Sequence, residues 1–239
     1  MLDNLDLKNV LVLDIETVPQ FSTFDHLNEN WKDLWAHKMK HLIKDNVTAA
    51  DTYERAGIYA EFGKIICISV GAFYIEKDEL KFRIKSFYGD DEKILLQEFS
   101  EMLNKNYYKE EHTVCGHNSK EFDFPFIARR CLINGIPIPP ILDNSGKKPW
   151  EVKLLDTMEM WKFGDYKSYT SLKLLAALFG IPSPKDDIDG SQVGNIYWQE
   201  KNLERIKIYC QKDVVTVAQL LLKFKGKELL NEDNVVYAN

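Results

Sequence analysis

Three short patterns of carboxylates stand in order along the chain: Asp14-x-Glu16, Asn118-x-x-x-Phe122-Asp123 and Tyr209-x-x-x-Asp213. Carboxylates gathered at one point hold hard divalent cations such as Mg²⁺ or Mn²⁺, which take oxygen ligands. Each pattern is weak alone. Asp90-Asp91-Glu92 repeats the first and Tyr74-x-x-x-Asp78 repeats the third. Both rivals fall at turns or helix starts, where acids are solvated or capping.

The chosen set differs in the elements that carry it. Val10–Leu13 is a strand-sized apolar run buried on both faces, and it delivers Asp14-Ile15-Glu16 at its end. Residues i and i+2 of a strand share a face, so Asp14 and Glu16 can converge on one cation. Tyr209 lies one helical turn before Asp213. Asp213 stands among Ile206, Ile208, Val214, Val215 and Val217, where an acid is costly without a metal or partner. Asp123 runs into Phe124-Pro125-Phe126, a second apolar setting.

The remaining elements follow from period and punctuation. Strands are expected at Ile65–Ile75, at Leu80–Ile84 with one wet face, at Thr113–Cys115 and at Val152–Leu155. Helices are expected after a cap at Asp90 or Asp91, from Phe122 to Leu132, from Ser171 to Phe179 capped by Thr170, and over Val193 to about Phe224. Residues 22–60, with Trp31, Leu34, Trp35, Met39 and Leu42 at helical spacing, read as a helical insertion, and those after Gly226 as a fraying tail. Residues 1–239 thus read as one domain, core about 8–225: α/β, a mixed central sheet flanked by helices.

The ordered set Asp14, Glu16, Asp123 and Asp213, with Tyr209 four before the last acid, resembles the DEDD superfamily of 3′–5′ exonucleases, tyrosine subclass. Leu13-Asp14-Ile15-Glu16-Thr17 and the Asn118…Asp123 block look most like stand-alone bacterial proteins related to the proofreading domain of family B DNA polymerases. The resemblance spans about Val10 to Leu222 and leaves out the 22–60 insertion. It implies a ribonuclease H-like fold. It also implies hydrolysis of phosphodiester bonds by two divalent ions, Mg²⁺ or Mn²⁺, which stabilise the attacking and leaving oxygens of an in-line displacement. Asp14, Glu16 and Asp213 would hold one ion, Asp14 would bridge to the second, and Asp123 would reach that one through water. Tyr209 would orient the attacking water, since a phenol near pKa 10 is a poor base. Ile15, Thr17, Asn118 and Phe122 would border the 3′-terminal nucleotide, with Phe122 reading equally well as plain core. The implied substrate is the 3′ end of single-stranded DNA or RNA, DNA favoured, giving nucleoside 5′-monophosphates. The alternatives are an RNA- or oligonucleotide-processing exoribonuclease and a noncatalytic nucleic-acid-binding module. A proofreading role would need a separate polymerase or repair protein.

Other features read blandly. His37-x-x-x-His41 has zinc spacing but no third ligand nearby. His117 reads as a local hydrogen-bonding residue, Asp156 as a cap, and Asp186, Asp187 and Asp189 as solvated. Lys162, Lys167 and Lys173 read as a solvated face. The four cysteines are scattered, and with no signal peptide expected they indicate reduced thiols and a cytoplasmic setting. No run reaches the roughly 18 apolar residues of a membrane span. No P-loop or Ser/His/Asp arrangement supports nucleotide triphosphate hydrolysis or acyl transfer. The 239 residues carry 31 Lys+Arg against 37 Asp+Glu, a net charge of −6, so no global basic surplus grips nucleic acid.

Overall fold

The computed structural model describes residues 4–44, 46–165, 169–182 and 188–238. Strand β1, Val10–Pro19, runs through the Asp14-Ile15-Glu16 segment instead of ending before it. It pairs antiparallel with β2, Gly63–Glu76, which pairs antiparallel with β3, Glu79–Tyr88, across the turn at Lys77-Asp78. On the other side β1 pairs in parallel with β4, Thr113–Gly116, and β4 with β5. Strand β5 is only Leu155–Asp156, shorter than expected and displaced towards Asp156. The tail, expected to fray, adds a sixth strand: β6, Val235–Tyr237, lies parallel to Phe82–Ile84 on the outer edge of β3. The Gln219 amide, which both donates to and accepts from the Leu230 backbone at 2.9 Å, anchors this return. The sheet order is β5-β4-β1-β2-β3-β6, mixed as expected.

Alternation along β1 sends its residues to two different cores. Leu11, Leu13 and Ile15 pack against α2, Glu92–Asn106, and α3, Asp123–Ile133. Val10 and Val12 pack against Val214, Val217 and Leu221 of the long helix α7, Leu203–Phe224, once α1 and α4–α6 are placed. These are α1, Glu29–Met39; α4, Thr157–Lys162; α5, Leu172–Leu178; and the single turn α6, Val193–Asn195. Helix α5 is capped by Ser171, whose hydroxyl accepts from Leu174 N–H, not by Thr170. The expected continuous helix from Val193 is interrupted. Ile196–Glu200 widens into a π-helix, Lys201 turns left-handed at φ 54°, and Asn202 caps a fresh start by accepting from Arg205 N–H.

Close approach of α7 to the sheet depends on Gly71 of β2, which lies across from Val12. A Cβ there would stand 2.1 Å from the Phe82 ring and 2.9 Å from Val214. The insertion comprises α1 and a 3₁₀ helix, Ala50–Ile58, built around Trp35, Met39, Tyr53 and Ala56. The Trp35 indole donates to Ala49 O and Thr52 Oγ1. Of the residues at helical spacing, Trp31 and Leu34 are exposed, and Leu42 lies beyond the helix end.

Candidate active site

Asp14 and Glu16 share the face of β1 occupied by Val10 and Val12, which is the face that α7 covers. Tyr209 and Asp213 approach them from α7, and the Tyr209 hydroxyl bonds to Asp213. Asp123 arrives from the opposite core, around the strand edge. Strand β4 pairs β1 only as far as Val12, which leaves the Ile15 N–H without a ladder partner on that side. Asp123, at the first turn of α3, supplies one: its Oδ1 accepts from Ile15 N–H at 3.1 Å. The turn before α3 is held by Asp156, whose carboxylate accepts from Asn118 N–H and Lys120 N–H while capping α4 through Met158 N–H. Asn118 sits left-handed there, at φ 61°. Gly116 lets this turn tuck under β1, since a Cβ would meet Ser119 at 1.9 Å and Leu13 O at 3.0 Å.

All nine sequence-derived residues, Asp14, Ile15, Glu16, Thr17, Asn118, Phe122, Asp123, Tyr209 and Asp213, line one cleft of about 900 Å³. Burial, then the neighbouring Asp123, Asp213 and Glu16, push Asp14 well above the usual carboxylate range. Burial, with Asp213 next, does the same to Glu16. Burial raises Asp123 to about 7 against the opposing hydrogen bonds. Burial and the surrounding carboxylates push the Tyr209 phenol upward, so it stays an O–H donor. Asp14 Oδ2 is buried with no hydrogen-bond partner. Gathering repelling carboxylates out of water is costly unless a cation offsets them, so the donor set fits a hard divalent ion.

Oxygen atoms of Asp14 and Glu16 lie within 4.8 Å of each other and of Cys210 Sγ. The thiol is not a ligand in this arrangement: burial raises its pKa, and it donates to the Asp14 carbonyl at 3.4 Å. It braces β1 from α7.

The chain matches, over residues 58–234, the family described as predicted 3′–5′ exonucleases related to the exonuclease domain of PolB. The chain belongs to that family. The matched region holds Asn118, Asp123, Tyr209 and Asp213 of this chain; Asp14 and Glu16 lie before it and join them through the fold. No curated protein is similar to the chain at the sequence level. Among solved structures, it is similar to the family B DNA polymerase from the hyperthermophilic archaeon Pyrobaculum calidifontis, with 16% identity and a TM-score of 0.54. That alignment covers 90% of this chain and 24% of the polymerase, so the chain spans about a quarter of the larger protein's length. The RNase domain of the yeast Pop2 protein aligns over 98% of this chain and 84% of its own, with 14% identity and a TM-score of 0.42. The polymerase likeness shows the expected ribonuclease H-like fold.

The cleft also takes in residues that no local pattern marked. The insertion contributes Glu54, Arg55, Gly57 and Ile58 to one wall, and the Thr17 hydroxyl donates to Gly57 O at 2.8 Å. Trp198 and Gln199 of the π-helix and exposed Tyr169 form further lining. Their spacing is aperiodic, so only long-range packing could reveal them. Phe122 is half-buried, packed on Phe126 and open to the cleft, which joins both readings of it. His117, read as a local hydrogen-bonding residue, bonds instead to the distant Thr157 hydroxyl and Thr170 carbonyl and lines the cleft. Asp189 caps its own loop through Ser191. Lys162 and Lys173 stay outside the cleft lining, while Lys167, Asp186 and Asp187 lie outside the described residues. Among the described residues His37 and His41 join no group of metal-ligating side chains, and no helix is long and apolar enough to cross a membrane.

Proposed function

We propose that residues 1–239 act as one metal-dependent exonuclease domain of the tyrosine subclass, removing nucleotides from single-stranded 3′ ends, DNA favoured, as nucleoside 5′-monophosphates. The observation that carries this reading is the convergence of four carboxylates and a tyrosine, from three distant segments, on one open cleft.

Asp14, Glu16 and Asp213 are the residues suited to hold one Mg²⁺ or Mn²⁺. Asp123, whose Oδ1 accepts from Ile15 N–H, is suited to reach a second ion from the opposite side of the cleft. Bound there, two divalent ions supply charge stabilisation to the attacking and leaving oxygens. Tyr209, protonated and tied to Asp213, directs its hydroxyl at the attacking water without abstracting its proton. The water oxygen bonds to phosphorus and gives up a proton to solvent, the bond from phosphorus to the preceding 3′ oxygen breaks, and that oxygen takes a proton from solvent to leave a new 3′-hydroxyl on the shortened strand. Thr17, Asn118 and Phe122 border the terminal nucleotide, and the Asn118 carboxamide oxygen, buried without a partner, is suited to accept from it.

The test is a 5′-labelled single-stranded DNA and its RNA counterpart, incubated with Mg²⁺, Mn²⁺ or EDTA beside Asp14→Ala. A metal-dependent ladder shortening from the 3′ end, absent in the variant, is expected, with DNA degraded faster. A ladder on RNA alone would transfer the reading to an exoribonuclease. No ladder from folded protein with any metal would sink it.

A further inference from the structure

Trp198 lines two cavities at once: the carboxylate cleft and a separate one of about 370 Å³ formed by Lys64, Asp90, Tyr197, Trp198, Lys201 and Leu203. The second cavity is a built arrangement of cations on aromatic rings. Lys64 Nζ lies 4.8 Å from the Tyr197 ring centroid and 5.2 Å from that of Trp198, and donates to Tyr197 OH at 2.8 Å. Lys201 Nζ lies 5.0 Å from the Trp198 centroid. Tyr197 in turn donates to Asp90 at 2.6 Å, which fixes the ring. Two ammonium groups face one carboxylate, and neither forms an ion pair among the described residues. Behind the cavity, Glu92 and Arg130 also act on Lys64, and those two charges are paired with each other.

Its location ties it to the cleft. Lys64 pairs across from Val18, two residues past Glu16 on the same strand. The Trp198 indole donates to Pro19 O at 3.1 Å, clamping the end of β1 to the π-helix. That π-helix and the left-handed Lys201 are an irregular interruption of an otherwise helical run, a feature frequent at functional sites. Without the interruption, Trp198 and Lys201 would follow the helix and not gather around Lys64.

We propose that Lys64 and Lys201, held on the Tyr197 and Trp198 rings, form a phosphate-holding subsite for the single strand upstream of the bond being cut, with Trp198 as the shared wall between it and the carboxylates. The proposal rests on the exonuclease reading for its direction, but its binding component stands apart from catalysis. Phosphate contacts of this kind are sequence-independent and salt-sensitive. Burial pulls the Lys64 ammonium below the ordinary lysine pKa, and a half-desolvated cation attracts an incoming phosphate more strongly than a fully solvated one.

The experiment measures binding of a fluorescent deoxythymidine oligomer of about 12 nucleotides in EDTA, by anisotropy against salt, for the parent, Lys201→Ala and Lys64→Met. Each variant should bind several-fold more weakly, with the slope of log affinity against log salt reduced by about one per lysine removed. With metal present, kcat/KM for the oligomer relative to a dinucleotide should fall about tenfold in Lys201→Ala. If Lys64→Met does not fold, the exposed Lys201 decides alone. Affinity, salt slope and length ratio all matching the parent in Lys201→Ala would overturn the subsite. An inert enzyme that still shows the lost salt slope would sink the exonuclease reading and leave the subsite standing.

Discussion

The backbone N–H of Ile15, the residue between the two first-strand acids, is hydrogen-bonded to the carboxylate of Asp123, 108 positions away. It bonds there because β4 stops pairing before that point and leaves the edge of β1 open. That bond fixes the start of α3 against β1 and holds the Asp123 carboxylate at the cleft wall. Asp123→Asn keeps an acceptor for Ile15 and removes the charge. Activity should fall by at least about 100-fold, whereas the metal-free protein should melt higher at neutral pH, because one buried like charge is gone. Adding Mn²⁺ should raise the parent melting temperature, EDTA should reverse the rise, and Asp14→Asn should abolish it. Calorimetry with and without Mn²⁺ checks all three.

The buried Arg130 forks onto Glu92, donating from Nε at 2.9 Å and from a terminal nitrogen, and reaches Ala60 O at 2.9 Å. Glu92 also accepts from Ile65 N–H. The group therefore ties α2, α3, β2 and the end of the insertion together. Arg130→Met strands a buried carboxylate and should cost about 3–5 kcal/mol in urea unfolding. Adding Glu92→Gln to it should recover part of that loss. Equal stability of the single and double variants would contradict the pairing.

Burial depresses the His117 pKa below 6.5, with the ring donating from Nε2 to Thr170 O and hydrogen-bonded at Nδ1 to the Thr157 hydroxyl. The unfolded chain takes up a proton near pH 6.5 that the folded protein resists. Stability from this residue is therefore complete above pH 6.5 and is lost as pH falls through the lower folded value. His117→Gln should show a flatter decline in stability between pH 7 and 5 than the parent, whatever its absolute stability, in denaturant titrations at each pH.

Arg55 is the one arginine of the cleft lining, presented by the insertion. A phosphate contact made equally before and during the reaction changes binding and not turnover. Arg55→Ala should raise KM for single strands about three- to tenfold with kcat nearly unchanged. A fall in kcat at unaltered KM would place Arg55 elsewhere in the chemistry.

Gly71→Ala introduces a methyl into the Phe82 ring and against Val214, next to Asp213. Overpacking of this kind should cost about 1–3 kcal/mol. Because α7 must shift to relieve it, kcat should fall as well. A pocket-directed role with no stability change would refute the packing account.

Periodicity made half of the candidate site legible. A strand puts Asp14 and Glu16 on one face, and a helix puts Tyr209 one turn before Asp213. Those relations are local and survive in any fold that keeps the two elements. The mixed sheet was legible for the same reason, from alternating and continuous apolar runs. The cap at Asp91 followed from chemistry within three residues, its carboxylate accepting from Lys93 and Ile94. Ser171 and Thr170 offered the same local chemistry. In the fold it is Ser171 that accepts from Leu174 N–H, while the Thr170 carbonyl bonds His117.

What no local pattern contains is which distant segments meet. The open edge of β1 that receives Asp123 exists because β4 is short. The tail forms β6 because β3 presents an unpaired edge and Gln219 grips Leu230. Cys210 braces Asp14 because α7 crosses β1 at that residue, and Gly71 permits the crossing. Trp198 joins two cavities because a π-turn breaks a run whose composition reads as plain helix. Residue types and short spacings named the groups that line the cleft. Long-range backbone pairing and core packing settled where those groups stand, because neither has any counterpart within a few residues of sequence.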